Sequence, residues 1–152
     1  MSTPVITSED LLKMSQTDLE EMFSGVPDPG PIPQGEAEGT VIFAPGTAVS
    51  ETAAKLAHLI AWRGKVFDPE KGELRNEIGP LGERAIRAKV YADESWFDGK
   101  PAIILDYSKT SLVAHWIRDE IRQVSPGLYL GIVYWEHNKI LDFSLDFRHP
   151  NS

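Results

Sequence analysis

The chain has 152 residues, 41% of them hydrophobic and 25% charged, a length and balance that suit one domain with its own core. A formal net charge of −8 argues against phosphate backbones and anionic lipid surfaces, so nucleic acid and membrane are not expected partners. Cysteine is absent, which excludes disulfides, thiolate metal ligands and thiol nucleophiles and suits a cytoplasmic location; the apolar runs are too short for a membrane span, and residues 1–10 lack the basic and apolar regions of a signal peptide.

Residues 1–25 predict a helical segment. Ser8 is placed to cap it, with Glu9 and Asp10 in the first turn. Thr17 and Glu20 form a second capping pattern, Leu19, Met22 and Phe23 make an apolar stripe, and Gly25 ends it; one helix or two remains open. Residues 26–39 form a Pro/Gly-rich strap: Pro27, Pro29, Pro31 and Pro33 remove backbone donors and favour extended geometry. The third region, 40–152, carries the strands of an expected barrel.

Residues 40–44 predict a strand ended by Pro45 and Gly46, and Ser50 caps a helix to about residue 61, with Ala53, Leu56, Ala57 and Ile60 on one face. Beyond it the pattern is β. Residues 64–68 and 73–78 flank a turn at 69–72, and 83–92 alternates. Residues 95–97 and 101–106 flank Asp98-Gly99-Lys100 as an expected hairpin. Residues 111–124 fit either a helix or a strand, and strand neighbours favour the strand. Pro126-Gly127 is a turn, and 128–135 and 139–147 form a last hairpin around residues 136–138. There Leu141, Phe143 and Leu145 alternate with Asp142, Ser144 and Asp146, which predicts one buried and one wet face. The fold expected is mainly β: an antiparallel barrel, lipocalin-like, with an N-terminal helical segment and one additional helix.

No phosphate loop, dinucleotide fingerprint, nucleophile elbow or paired-histidine metal motif occurs, and no cofactor or metal is expected. The densest ionisable cluster is 118–122. On a strand, Arg118, Glu120 and Arg122 share one face and Asp119 takes the other. If the shared face points inward, Arg118 and Arg122 can hold an anionic head group through their planar forks, and Glu120 can act as a base; otherwise the cluster is an ion-pair network. Asp106 and Tyr107 lie just upstream. Trp96, Trp116, Trp135, Tyr107 and Tyr129 either line a pocket or fill the core.

Trp62-Arg63-Gly64-Lys65-Val66-Phe67 is the most specific short motif, preceded by Gly35-Glu36-Ala37-Glu38-Gly39. Together they resemble the bacterial and fungal domains named for a Gly-x-Trp-x-Gly motif, in which a leading helix is followed by that motif, by Trp-x-Gly-Lys-x-Phe and by strands. Trp62, Gly64, Lys65 and Phe67 match the second element, Gly35 and Gly39 match the glycines of the first, and Ala37 stands in place of its tryptophan. The resemblance implies a calycin-like barrel enclosing a small apolar ligand. It implies no activity and supplies no catalytic residues.

The function expected is binding of a small hydrophobic molecule with a polar or anionic head. Arg118 and Arg122 would hold the head, Tyr107 and Tyr129 would donate hydroxyls, and Trp96, Trp116 and Trp135 would pack the body. The alternative is a barrel enzyme (isomerase, cyclase or hydrolase) using Glu120, Asp119 or Asp106 as acid or base. A cavity-free protein-interaction module is the third reading. Homodimer formation stays open.

Overall fold

The computed structural model describes residues 6–26, 28–43, 65–78, 84–109 and 115–148. The helix expected at 50–61 and Trp62, Arg63 and Gly64 lie outside them. The N-terminal segment is two helices, α1 (Ser8–Leu12) and α2 (Gln16–Ser24). Their caps fall one and two residues earlier than expected. Thr7 accepts from the amide of Asp10, whose carboxylate accepts from the Thr7 amide, and Ser15 accepts from the amide of Asp18.

Eight antiparallel strands close into a barrel in chain order: β1 (Gly35–Phe43), β2 (Lys65–Asp68), β3 (Glu73–Ile78), β4 (Arg84–Glu94), β5 (Pro101–Asp106), β6 (Ile117–Ser125), β7 (Leu128–Trp135) and β8 (Asn138–Asp146). β1 closes the ring by pairing with β2 at Gly35–Ala37 and with β8 from Glu38 onward. Residues 35–39 are thus part of β1. Of the ambiguous 111–124 stretch, residues 117–124 lie in the strand β6, and residues 111–114 lie outside the described residues. Residues 95–97 are not a strand: the Gly99 amide donates to the Ser95 carbonyl and the Phe97 amide to the Ser95 hydroxyl, making a compact loop between β4 and β5.

The pleat sorts side chains into two cores. The inner one fills the barrel with Phe67, Leu74, Val90, Ile103, Leu105, Ile121, Val133, Leu141, Phe143 and Leu145, among others. The outer one lies where Leu11, Leu19 and Phe23 of the helices cover Leu128, Leu130, Ile132 and Tyr134 of β7. Burying each of those three helical side chains contributes roughly 1.5–3 kcal/mol. β7 is thus buried on both faces, which explains its continuous apolar sequence. The expected wet face of β8 is corrected for the same reason. Asp142 and Ser144 are buried, and α2 reaches this side through Glu20, which shares the Lys139 ammonium with Asp142.

The two barrel ends differ. At one end emerge the turns at 69–72, 95–100 and 126–127; Gly127, at φ 77, supplies the left-handed residue of its turn. Phe147 packs edge-on against Phe67 and Tyr129 there. The strap crosses this end: the Tyr129 hydroxyl donates to the Pro31 carbonyl at 2.7 Å, and the Gln123 amide to that of Pro29 at 2.8 Å. From the opposite end leave the β1–β2, β3–β4 and β5–β6 connections and the two-residue turn Glu136-His137.

Candidate functional site

β6 decides where the charges go. Ile117 and Ile121 belong to the inner core, so Asp119 between them points into the barrel, while Arg118, Glu120 and Arg122 point outward. The inward-facing arginine pair considered from sequence is therefore not what the fold presents. Arg122 lies over the Phe23 ring beneath α2. Its Nε donates to the Pro101 carbonyl, Nη1 to the Phe23 carbonyl and Asp98, and Nη2 to Asp98 and the Lys100 carbonyl. Those five bonds match the five N–H donors of a guanidinium. The Arg122 guanidinium in turn holds the Asp98 carboxyl down at about 2.

Glu120, fully buried, accepts from the Ser95 hydroxyl, the Trp96 amide and Arg118. Arg118 also donates to the Glu94 carbonyl and lies over the Trp96 ring. Together these groups bind the 95–100 loop to the barrel's outer wall. Asp106 is outward too. Burial opposes its ionisation, but the Ser108 hydroxyl and amide and the Tyr91 hydroxyl outweigh it, and its pKa is lowered.

The aromatic residues divide. Tyr107 and Tyr129 are in the inner core and Trp135 packs against it. Trp96 and Trp116 are 42% and 49% exposed on the outside, Trp96 stacked on His137 and Trp116 tilted against His115.

Sequence reasoning missed Lys65. It opens β2 on the same face as Phe67, and its side chain is wholly buried inside the barrel. Its Nζ donates to the Tyr107 hydroxyl at 3.2 Å and lies 3.9 Å from an Asp119 carboxylate oxygen. Lys65 starts β2, Tyr107 directly follows β5 and Asp119 is the third residue of β6, so the trio sits toward the end opposite the strap.

Across the sheet Asp119 is flanked by Leu105 and Val133, and neither of its oxygens accepts a hydrogen bond. Burial raises the Asp119 pKa to about 7, the neighbouring Glu120 charge adding to it and Lys65 opposing. Burial lowers that of Lys65 to about 8, with Asp119 opposing. With the two charges 3.9 Å apart, the titration of each depends on that of the other. A proton donor, a proton acceptor and a phenol thus converge in an apolar interior. The available signal was the alternation of Lys65 with Phe67 in the Gly-Lys-x-Phe motif. Among the described residues, no three His, Cys, Asp or Glu side chains are grouped to hold a metal ion. Also among the described residues, no helix is long and apolar enough to cross a membrane.

No family model matches the chain, and no curated protein matches it. Among solved structures, a protein from Thermomonospora curvata is similar over 90% of this chain and 89% of its own, with a TM-score of 0.57 and 17% identity. At that identity the likeness concerns the fold.

Proposed function

We propose that this chain is a lipocalin-like binding protein whose barrel takes a small, largely apolar molecule by a polar or anionic head. The observation that carries this reading is the Lys65–Tyr107–Asp119 trio, buried in an apolar interior with both Asp119 oxygens lacking a hydrogen bond. A buried charge pair whose carboxylate accepts no hydrogen bond is a poor way to stabilise a core, because desolvation outweighs the attraction. A ligand head that bonds to Lys65, Tyr107 and Asp119 offsets that cost, while the apolar residues around it receive the body. The head-group role goes to Lys65 with Tyr107, which lie inside the barrel, whereas Arg118 and Arg122 face outward. The test is native mass spectrometry with dodecanoate and dodecanol as probes. The expected result is a one-to-one complex with at least one probe that survives Arg118→Ala and is lost in Lys65→Met. A protein that binds neither probe sinks the proposal.

A second reading has its own support. Asp119 at about 7 beside Lys65 at about 8 gives a donor and an acceptor poised for general acid–base work at neutral pH, as an isomerase or hydrolase of a hydrophobic metabolite requires. Its mark is a pH–rate profile that loses its acidic limb in Asp119→Asn.

A further inference from the structure

A lysine buried in an apolar barrel next to a phenol and a carboxyl is arranged for more than reversible contact. We propose that Lys65 captures an aldehyde ligand covalently as an imine, with Tyr107 holding the carbonyl oxygen and Asp119 acting as proton donor and then counter-ion. This inference rests on the binding reading above and names a substrate class for the same site.

Three features support it. The Lys65 side chain is wholly buried, whereas Lys13, Lys71, Lys89, Lys100 and Lys109 are exposed, where open water hydrolyses an imine. The Tyr107 hydroxyl is 3.2 Å from Nζ, within reach of an oxygen on the carbon that Nζ attacks. The Asp119 oxygen, 3.9 Å from Nζ, is beyond good hydrogen-bond range, and neither oxygen of that carboxyl is engaged by another donor. Desolvation also favours the neutral, nucleophilic amine.

The chemistry balances without an oxidant or reductant. The Nζ lone pair forms a C–N bond to the carbonyl carbon while the carbonyl π pair moves to oxygen. One nitrogen proton passes to that oxygen and gives a carbinolamine. Protonated Asp119 then delivers its proton to the hydroxyl, which leaves as water while the nitrogen lone pair closes the C=N bond. The product is an iminium facing the Asp119 carboxylate, and its formation releases one water. Loss of the remaining nitrogen proton to Asp119 gives the neutral imine.

The test treats the whole protein with equimolar dodecanal and sodium cyanoborohydride at neutral pH, then maps the dodecyl group by peptide mass spectrometry. The expected result is one group per chain on Lys65, added at least about tenfold faster than to any exposed lysine. Lys65→Arg keeps the cation and abolishes the label, and Asp119→Asn slows labelling without moving it. Label spread over exposed lysines, with Lys65 unmodified, overturns the imine. If dodecanoate or dodecanol still binds one to one in that case, the binding reading survives alone; if neither probe binds, both fall.

Discussion

The two faces of β6 carry charge on successive residues and treat it in opposite ways. Outward, Arg122 has a partner for every donor, and Glu120 is held by a hydroxyl, an amide and a guanidinium. Inward, Asp119 has aliphatic neighbours on both sides and the Lys65 ammonium at 3.9 Å. Both faces are buried, so solvent does not account for the difference. A buried charge with complete hydrogen bonding fixes structure, whereas one left incomplete is retained at a cost to stability and points to chemistry.

The largest expected effect breaks the outer face. Arg122→Ala strands Asp98 and the carbonyls of Phe23, Lys100 and Pro101, and should cost about 3–5 kcal/mol in urea unfolding. The inner face should respond with the opposite sign. Lys65→Met with Asp119→Leu replaces the pair by apolar groups and should stabilise the protein by about 1–4 kcal/mol at pH 7.5, while abolishing probe binding. A loss of stability in that double variant would make the inner pair a structural ion pair after all.

pH sharpens the same contrast. The folded state holds the Asp119 proton up to about 7 against an ordinary 3.8, so stability from this group is full below 3.8 and drains as pH rises through 7. Lys65 is lowered to about 8 from 10.5, so its contribution is full above 10.5 and drains as pH falls through 8. Between pH 7 and 8 the pair is therefore at its least favourable. Thermal unfolding across pH 4–10 should show the double variant's advantage greatest there and shrinking on both sides. The smallest effect belongs to the strapped end: Tyr129→Phe removes the bond to the Pro31 carbonyl and should cost about 0.5–1.5 kcal/mol without changing ligand binding.

Local pattern carried the fold further than it carried the site. Alternation and turn residues predicted the β2–β3, β6–β7 and β7–β8 hairpins, because those signals act within a few residues. It failed at Ser95–Phe97, where the Ser95 hydroxyl and carbonyl bind the loop's own amides, and at Asp142 and Ser144, which the N-terminal helices cover. Periodicity placed Asp119 opposite Arg118 and Arg122 but does not encode which face is inward. That depends on the docking of Phe23 and on the 95–100 loop, both distant in sequence from β6. Lys65 was missed because a strand as short as β2 offers too few alternations to mark a lysine as internal.

The wrap of the N-terminal segment around the barrel also sets an order of assembly. Phe23 meets Arg122 across 99 residues of chain, Pro31 meets Tyr129 across 98, and Ile6 meets Arg148 across 142. During synthesis the two helices and the strap leave the ribosome before their docking surfaces on β6, β7 and the end of β8. The consecutive hairpins can form as they emerge, but ring closure through β1 must wait for β8, as expected of a fold with such distant pairings. The helices and the strap precede the strands they dock on yet settle only after them, and until then the apolar stripe of α2 lacks its cover.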